Sequence, residues 1–213
     1  LHDALPISAM LGKLDHPHVV RVFDAVTGPD EYYIVSEFVP GGTLGDYVAK
    51  GALMDIEPAI DVIFKCVKAL QYLHEHGVVH CDIKPENIFV GDGTEVKIGD
   101  FGAASVSGLS ISQESAIGSP LYMSPQRLAG AGADLHSDIY SVGVMFYQLL
   151  TGKRPFVADN MASLLYQMAY VVPPAVSSLR QGVPAAIDEV VARAERQKRR
   201  GGQIEDRKST RLN

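Results

Sequence analysis

The spacing of apolar residues changes along the chain and divides it into a short strand-rich part and a longer helical part. In residues 55–76, Ile56, Ile60, Ile63, Val67, Leu70 and Leu73 recur at intervals of three and four, the period of one helix face. This predicts a core helix with Asp55 available as its cap and Gly77 as its stop. Residues 137–151, SDIYSVGVMFYQLLT, are apolar nearly all round, which predicts a helix buried at a domain centre. Gly152 and Pro155 end it, and residues 160–170 and 184–197 read as two more helices, the second with Pro184 at its first position. Upstream, the pattern shortens. Residues 8–39 read as a helix end broken at His16 and Pro17, then β-runs at 19–26 and 32–35 across a Gly28-Pro29-Asp30 turn. Residues 88–90 and 96–98 read as a hairpin turned by Gly91, Asp92 and Gly93. Residues 100–126, rich in Ser, Gly and Ala, carry no such period and read as a long flexible loop. Short strands followed by long helices predict an α+β fold.

Composition removes several classes of function. With 213 residues, 46% apolar and 21% charged, the chain is ordinary globular material for one or two domains. A net charge of −6 and a single basic run at residues 198–200 predict no nucleic-acid partner, the run reading as a solvated face. Cys66 falls in a helical pattern and Cys81 stands alone, so neither a disulfide framework nor a metal cluster is expected, and the compartment is taken as cytoplasmic. No apolar run is long enough to cross a bilayer and no signal-peptide shape is present. No membrane contact is therefore expected within this segment, although the intact protein could be anchored through a region not present. His74 and His76 do not share a helix face and read as a solvated helix end.

The chemistry concentrates in residues 80–102, HCDIKPENIFVGDGTEVKIGDFG. Moving a γ-phosphoryl group requires a base to orient the acceptor hydroxyl, oxygen donors to hold a divalent cation, and positive charge near the moving group. Asp82 suits the first task, Asn87 and Asp100 the second, and Lys84 the third. The hairpin returns Asp100 to the loop that carries the others. Singly, Asp82 and Asp100 would serve equally well as turn caps; their order and spacing together favour phosphoryl transfer.

This stretch resembles the catalytic and metal-binding loops of protein kinases, H-R-D-x-x-x-x-N followed by D-F-G. The match runs through Asp82, Asn87 and Asp100-Phe101-Gly102, with Cys81 in place of the arginine. Residues 118–126, GSPLYMSPQ, are similar to the family's docking loop and A-P-E segment. The resemblance covers essentially all of residues 8–205. It implies a protein-kinase-like fold: residues 8–39 as the end of the small lobe up to the hinge, and residues 40–205 as the mainly α-helical large lobe, incomplete at its C-terminal end. ATP is the implied cofactor, with Mg²⁺, or Mn²⁺ as a substitute, and a protein bearing Ser or Thr is the implied substrate. Asp82 would orient the acceptor hydroxyl and Lys84 would stabilise the transferring group, while Asn87 and Asp100 would hold the metal against the nucleotide. Glu37 through its carbonyl and Val39 through its amide would pair with the adenine edge, with a small gatekeeper at Ser36, and Phe89 would be a further cofactor-binding residue; on its own the 36–42 stretch reads equally as a loop between strand and helix. Ser119 would dock the substrate near the base, and with Lys84 it points to a Ser/Thr acceptor.

Three residues are assigned support rather than chemistry by the same resemblance. His80 and Phe101, with Leu11 and Val22, would form an apolar column linking the lobes. Asp138 would hold the catalytic-loop backbone, which is compatible with its simpler reading as a helix-start acid. Two departures stand out. Cys81 lacks the bidentate fork that grips a phosphorylated activation loop, and Gln126 replaces the A-P-E glutamate with a neutral side chain. The implied function is an ATP-dependent serine/threonine protein kinase of bacterial style. The alternative is a pseudokinase or kinase-fold binding scaffold, against which retention of all four chemical side chains argues; small-molecule phosphotransferases lack the docking loop.

The family's glycine-rich loop and strand lysine would lie upstream and are not in this chain, so residues 8–205 alone are expected to be inactive or nearly so. Residues 1–7 and 206–213 match neither the composition nor the pattern of the rest. Ala4-Leu5-Pro6-Ile7 can be encoded by GCT CTT CCG ATC, and Asp206-Arg207-Lys208-Ser209 by GAT CGG AAG AGC, which are reverse complements. Extended outward, both ends look like translated arms of a short-read sequencing adapter. They are expected to be non-native scars, a natural basic tail being the alternative for the second. Together they hold three basic and two acidic residues, so residues 8–205 carry −7.

Overall fold

The computed structural model describes residues 10–27, 32–51, 53–91, 95–106, 109–110, 120–132 and 134–196. The two suspected scars, the Gly28-Pro29-Asp30 turn, Asp92, Gly93 and Ser119 lie outside the described residues. β1 (Val22–Thr27) and β2 (Tyr32–Ser36) pair antiparallel. The run expected at 19–26 is split. Val19 bridges Ile98, the Val20 amide donates to the Ile98 carbonyl at 2.8 Å, and the Ile98 amide donates to the His18 carbonyl at 2.9 Å. Val19 and Val20 are buried there, so packing under the hairpin takes them out of the β1 ladder.

The hairpin itself forms as expected. β5 (Ile88–Val90) pairs with β6 (Val96–Ile98) and, on its other edge, with β3 (Gly42–Thr43). A second small sheet joins β4 (Val78–Val79), β7 (Ser105–Val106) and β8 (Leu109–Ser110). That sheet corrects part of the expected flexible loop: β4 offers its open backbone edge, and residues 105–106 pair with it. α1 (Leu44–Ala49), which has no period to betray it at six residues, is started by a capping box. The Asp46 amide donates to Thr43 Oγ1 at 3.3 Å and the Thr43 amide donates to Asp46 Oδ2 at 2.8 Å.

α2 (Ile56–Glu75) lies where the period put it, but its buried face is Ala59, Val62, Ile63, Cys66, Ala69, Leu70 and Leu73. Ile60 and Val67, expected inside, are each 40% exposed beside Phe64. Small Ala and Cys side chains make up part of the buried face, so the large apolar residues alone mark a face that is rotated from it. Asp55 occupies the cap position but its side chain caps nothing; its carbonyl accepts the Ala59 amide at 2.9 Å.

After α3 (Pro125–Leu128) comes α4 (Leu135–Thr151), started by an Asp134–Ser137 capping box, and every residue from Tyr140 to Leu150 is buried. α5 (Met161–Tyr170) is capped by Asn160, α6 is Val176–Leu179, and α7 (Ala185–Arg196) begins one residue after Pro184. α4 and α7 approach closely at Gly143, where an added Cβ would lie 2.7 Å from the Ala194 methyl. The main core runs from Leu11, Val19 and Val22 through the hairpin to α2 and α4. A second cluster gathers Tyr122, Tyr140, Val144, Phe156, Leu164 and Met168. No helix among the described residues is long and apolar enough to cross a membrane.

Candidate active site

The β5–β6 register pairs Ile88 with Ile98, so Asn87 and Gly99 adjoin at the open end of the hairpin, where the Gly99 amide donates to the Asn87 carbonyl at 3.0 Å. Asn87 closes the 3₁₀ turn Pro85–Asn87, and Asp100 follows Gly99. The ladder thereby brings together residues that lie thirteen apart in sequence. Gly99 is required: a Cβ there would lie 2.8 Å from both Phe89 Cε2 and Val20 Cγ2.

Asp82 Oδ2 accepts Lys84 Nζ at 2.6 Å and Asn87 Nδ2 at 3.0 Å. The same Asn87 Nδ2 also donates to the Asp82 carbonyl at 2.8 Å. One carboxylate oxygen is thus held from two sides. Oδ1 takes no protein hydrogen bond among the described residues, and neither does Asn87 Oδ1. Asp100 adopts a left-handed conformation, φ 60°, and its Oδ1 accepts the Gly102 amide at 3.3 Å; non-glycine residues occupy that region sparsely, and mostly where function requires it. The exposed Asp100 carboxylate and Asn87 Oδ1 are hard oxygen donors suited to Mg²⁺, which commonly takes few protein ligands and completes its shell with water and phosphate. No cluster of three His, Cys, Asp or Glu residues forms a metal cage among the described residues.

The loop carrying Asp82 is suspended from α4. Asp138, 1% exposed, accepts the His80 amide on Oδ2 at 2.9 Å and the Cys81 amide on Oδ1 at 2.9 Å. His80 is fully buried, 5.2 Å from the Phe101 ring, in contact with the core that holds Leu11 and Val22. Its Nε2 donates to the Gly99 carbonyl at 2.9 Å while Nδ1 accepts the Asp82 amide at 3.3 Å. Cys81 is also left-handed, φ 69°, with its thiol donating to the Val79 carbonyl and its own carbonyl accepting Arg127 Nη1. Burial, reinforced by Asp138, pushes the Cys81 thiol up to about 11, so it stays protonated at neutral pH. Both cysteines are free and buried.

In the 36–42 stretch expected to be the hinge, the Glu37 amide donates to the Arg21 carbonyl at 2.9 Å. Its carboxylate accepts the Arg21 amide at 2.8 Å and Lys97 Nζ at 2.6 Å. Burial opposes ionisation of Glu37, but the Lys97 and Arg21 hydrogen bonds, with the charges of both residues, outweigh it and hold the carboxyl below its usual value. Neither the Glu37 carbonyl nor the Val39 amide has a backbone partner among the described residues. Phe89 is half-buried on the central strand.

Two residues were missed. His74, expected to be a solvated end, donates from Nε2 to Asp138 Oδ2 at 2.8 Å; its partner is 64 positions away, and no local signal reports such a contact. Arg127 reaches the Cys81 carbonyl from α3, again without a sequence cue. Ser119 lies outside the described residues.

A sequence model of the protein kinase domain matches residues 7–183. The chain is 35% identical over 186 residues to the probable serine/threonine-protein kinase PknB of Lactococcus lactis subsp. lactis, covering 86% of this chain and 30% of that protein. It is 39% identical over 191 residues to the serine/threonine-protein kinase PknB of Mycobacterium tuberculosis, covering 85% and 30%. With the serine/threonine-protein kinase PrkC of Bacillus subtilis it shares 33% over 184 residues, covering 85% and 28%. The chain therefore spans about 30% of the length of the curated relatives it matches.

Proposed function

The chain belongs to the protein kinase family, and from that premise we propose that it is part of the catalytic domain of a bacterial-type serine/threonine protein kinase, which moves the γ-phosphoryl group of ATP to a Ser or Thr hydroxyl of a protein. The observation that carries the reading is the Asp82 carboxylate, with Oδ2 held by Lys84 and Asn87 and Oδ1 left to accept a proton. Asp82 Oδ1 takes the proton of the acceptor hydroxyl as that oxygen bonds to the γ-phosphorus. The bond from phosphorus to the β,γ-bridging oxygen breaks, and its electrons leave with ADP. Lys84 Nζ lies beside the reacting group and offsets negative charge there. Asn87 Oδ1 and the Asp100 carboxylate are the donors that would hold Mg²⁺ or Mn²⁺, whose charge, when bound, offsets that of the phosphates. The Glu37 carbonyl and Val39 amide, which have no backbone partner among the described residues, supply an acceptor and a donor for the adenine edge, and Phe89 borders it. The lobe boundary at residues 39 and 40, a Ser119 docking role and a cytoplasmic location, where ATP is found, belong to the same proposal. The presence of Asp82, Lys84, Asn87 and Asp100 in one site favours catalysis over a binding scaffold.

The test is transfer of labelled phosphate from ATP to a Ser/Thr peptide by the full-length gene product. Asp82→Asn should lower the rate by at least about 100-fold while leaving ATP affinity unchanged. Undiminished transfer by that variant would refute the assignment.

A further inference from the structure

We infer that Arg127 is a positioning residue for Asp82, tying the base to the segment that follows the docking loop through the carbonyl of Cys81. The contact stands on geometry alone; only its consequence for rate rests on the kinase reading. Cys81 holds a left-handed backbone at φ 69°. Residues with a Cβ stay in such conformations only where their surroundings over-determine them. Two of the anchors lie on one side: Asp138 Oδ1 holds the Cys81 amide, and His80 Nδ1 accepts the Asp82 amide. The other end of the Cys81–Asp82 peptide is its carbonyl, and Arg127 Nη1 is its partner among the described residues. A charged donor to a part-buried carbonyl makes a strong, directional bond.

The geometry transmits motion in one direction. The Asp82 Cα belongs to that same peptide plane, so rotation of the plane swings Oδ1 away from an incoming hydroxyl. Arg127 sits in α3, whose start is fixed by the Ser124 side chain accepting the Arg127 amide. α3 begins three positions after Tyr122, which the second core cluster buries. Displacement of this segment therefore pulls on the base, and a segment in place holds the base in register.

The test compares Arg127→Met, which removes the donor, with Arg127→Lys, which keeps one at the end of a similar stem. In the full-length gene product, Arg127→Met should lower kcat by about 10- to 100-fold, the scale of a misplaced reacting group, with KM for ATP unchanged and the urea midpoint preserved. Arg127→Lys should recover most of kcat. Wild-type kcat in Arg127→Met, or an Arg127→Lys variant as slow as Arg127→Met, would overturn the inference. If the wild-type protein itself transfers no phosphate, the kinase reading fails, and the contact is read without catalysis in the 213-residue chain. Hydrogen exchange at the Asp82 amide, which belongs to the same peptide as the Cys81 carbonyl, should then be several-fold faster in Arg127→Met. Equal exchange at that amide in both proteins overturns the inference.

Discussion

Asp138→Ala deletes the acceptor of three hydrogen bonds, at 2.8 Å from His74 and 2.9 Å from each of two backbone amides. Those amides belong to His80 and Cys81, which are 0% and 6% exposed, so water cannot replace the carboxylate. A stranded buried donor costs about 1–3 kcal/mol, and removing one partner of a buried charged set costs about 3–5 kcal/mol in total. Set against a typical domain stability of about 5–15 kcal/mol, a loss of about 3–5 kcal/mol is roughly a fifth or more. Asp138→Asn retains one carbonyl oxygen, so one backbone amide stays paired and the cost should be roughly half as large. His74→Ala leaves both amides paired and should cost least, about 1–2 kcal/mol. Urea denaturation of the 213-residue chain gives the three values, and amide exchange at His80 and Cys81 reports whether the loop opens locally first. A wild-type midpoint for Asp138→Ala, or a larger loss from His74→Ala than from Asp138→Asn, would refute the idea that the loop hangs from this carboxylate.

Two further predictions rest on burial and close contact. Burial pushes the Cys66 thiol from 9.0 up to about 12, so the folded chain keeps a proton that the unfolded chain releases. The contribution is complete below pH 9 and is lost as pH rises toward 12, at up to about 1.4 kcal/mol per unit. Cys66→Ala should flatten the fall in stability between pH 9 and 11 in urea titrations, and an unchanged slope would contradict the assignment. Gly99→Ala places a methyl 2.8 Å from Phe89 Cε2 and Val20 Cγ2; overpacking should cost about 1–3 kcal/mol, and the displaced Phe89 should raise KM for ATP in the full-length gene product. Unaltered stability would mean that both side chains move aside freely.

What could be read in advance was local. Asp82, Lys84 and Asn87 lie within six residues, and the hairpin that adds Asp100 is marked by two short β-runs, so ladder geometry completes the site without knowledge of the rest of the chain. The α4 helix was legible for a different reason: a segment apolar on all sides can only be buried. What failed to show was tertiary. Ile60 and Val67 repeat at helical spacing yet are each 40% exposed, because the buried face is lined partly by Ala59, Cys66 and Ala69, whose small size reads as weak hydrophobicity. His74 and Arg127 carry no local pattern, since each finds its partner across the fold, 64 and 46 positions away. Val19 and Val20 have the composition of a strand and are claimed by a different ladder from the one their neighbours join.

α4 is buried against both core clusters and holds two other segments of the chain. Val142, Met145, Phe146, Leu149 and Leu150 pack into the main core, while Tyr140 and Val144 pack into the second cluster. From its first turn Asp138 holds the loop that carries the base. Three residues further on, Ser141 Oγ donates to the Tyr122 carbonyl at 2.8 Å, and Gln148 Oε1 accepts the Tyr122 hydroxyl at 2.5 Å. One helix therefore fixes both the loop that carries Asp82 and the segment around Tyr122, and Arg127 closes the triangle by joining that loop to α3. A rigid mount shared in this way lets the Asp82 loop and the Tyr122 segment keep a common frame although 40 positions separate Asp82 from Tyr122. It also makes the arrangement sensitive to overpacking at Gly143, where α4 meets Ala194 of α7, because a shift of the helix would carry Asp138, Ser141 and Gln148 together.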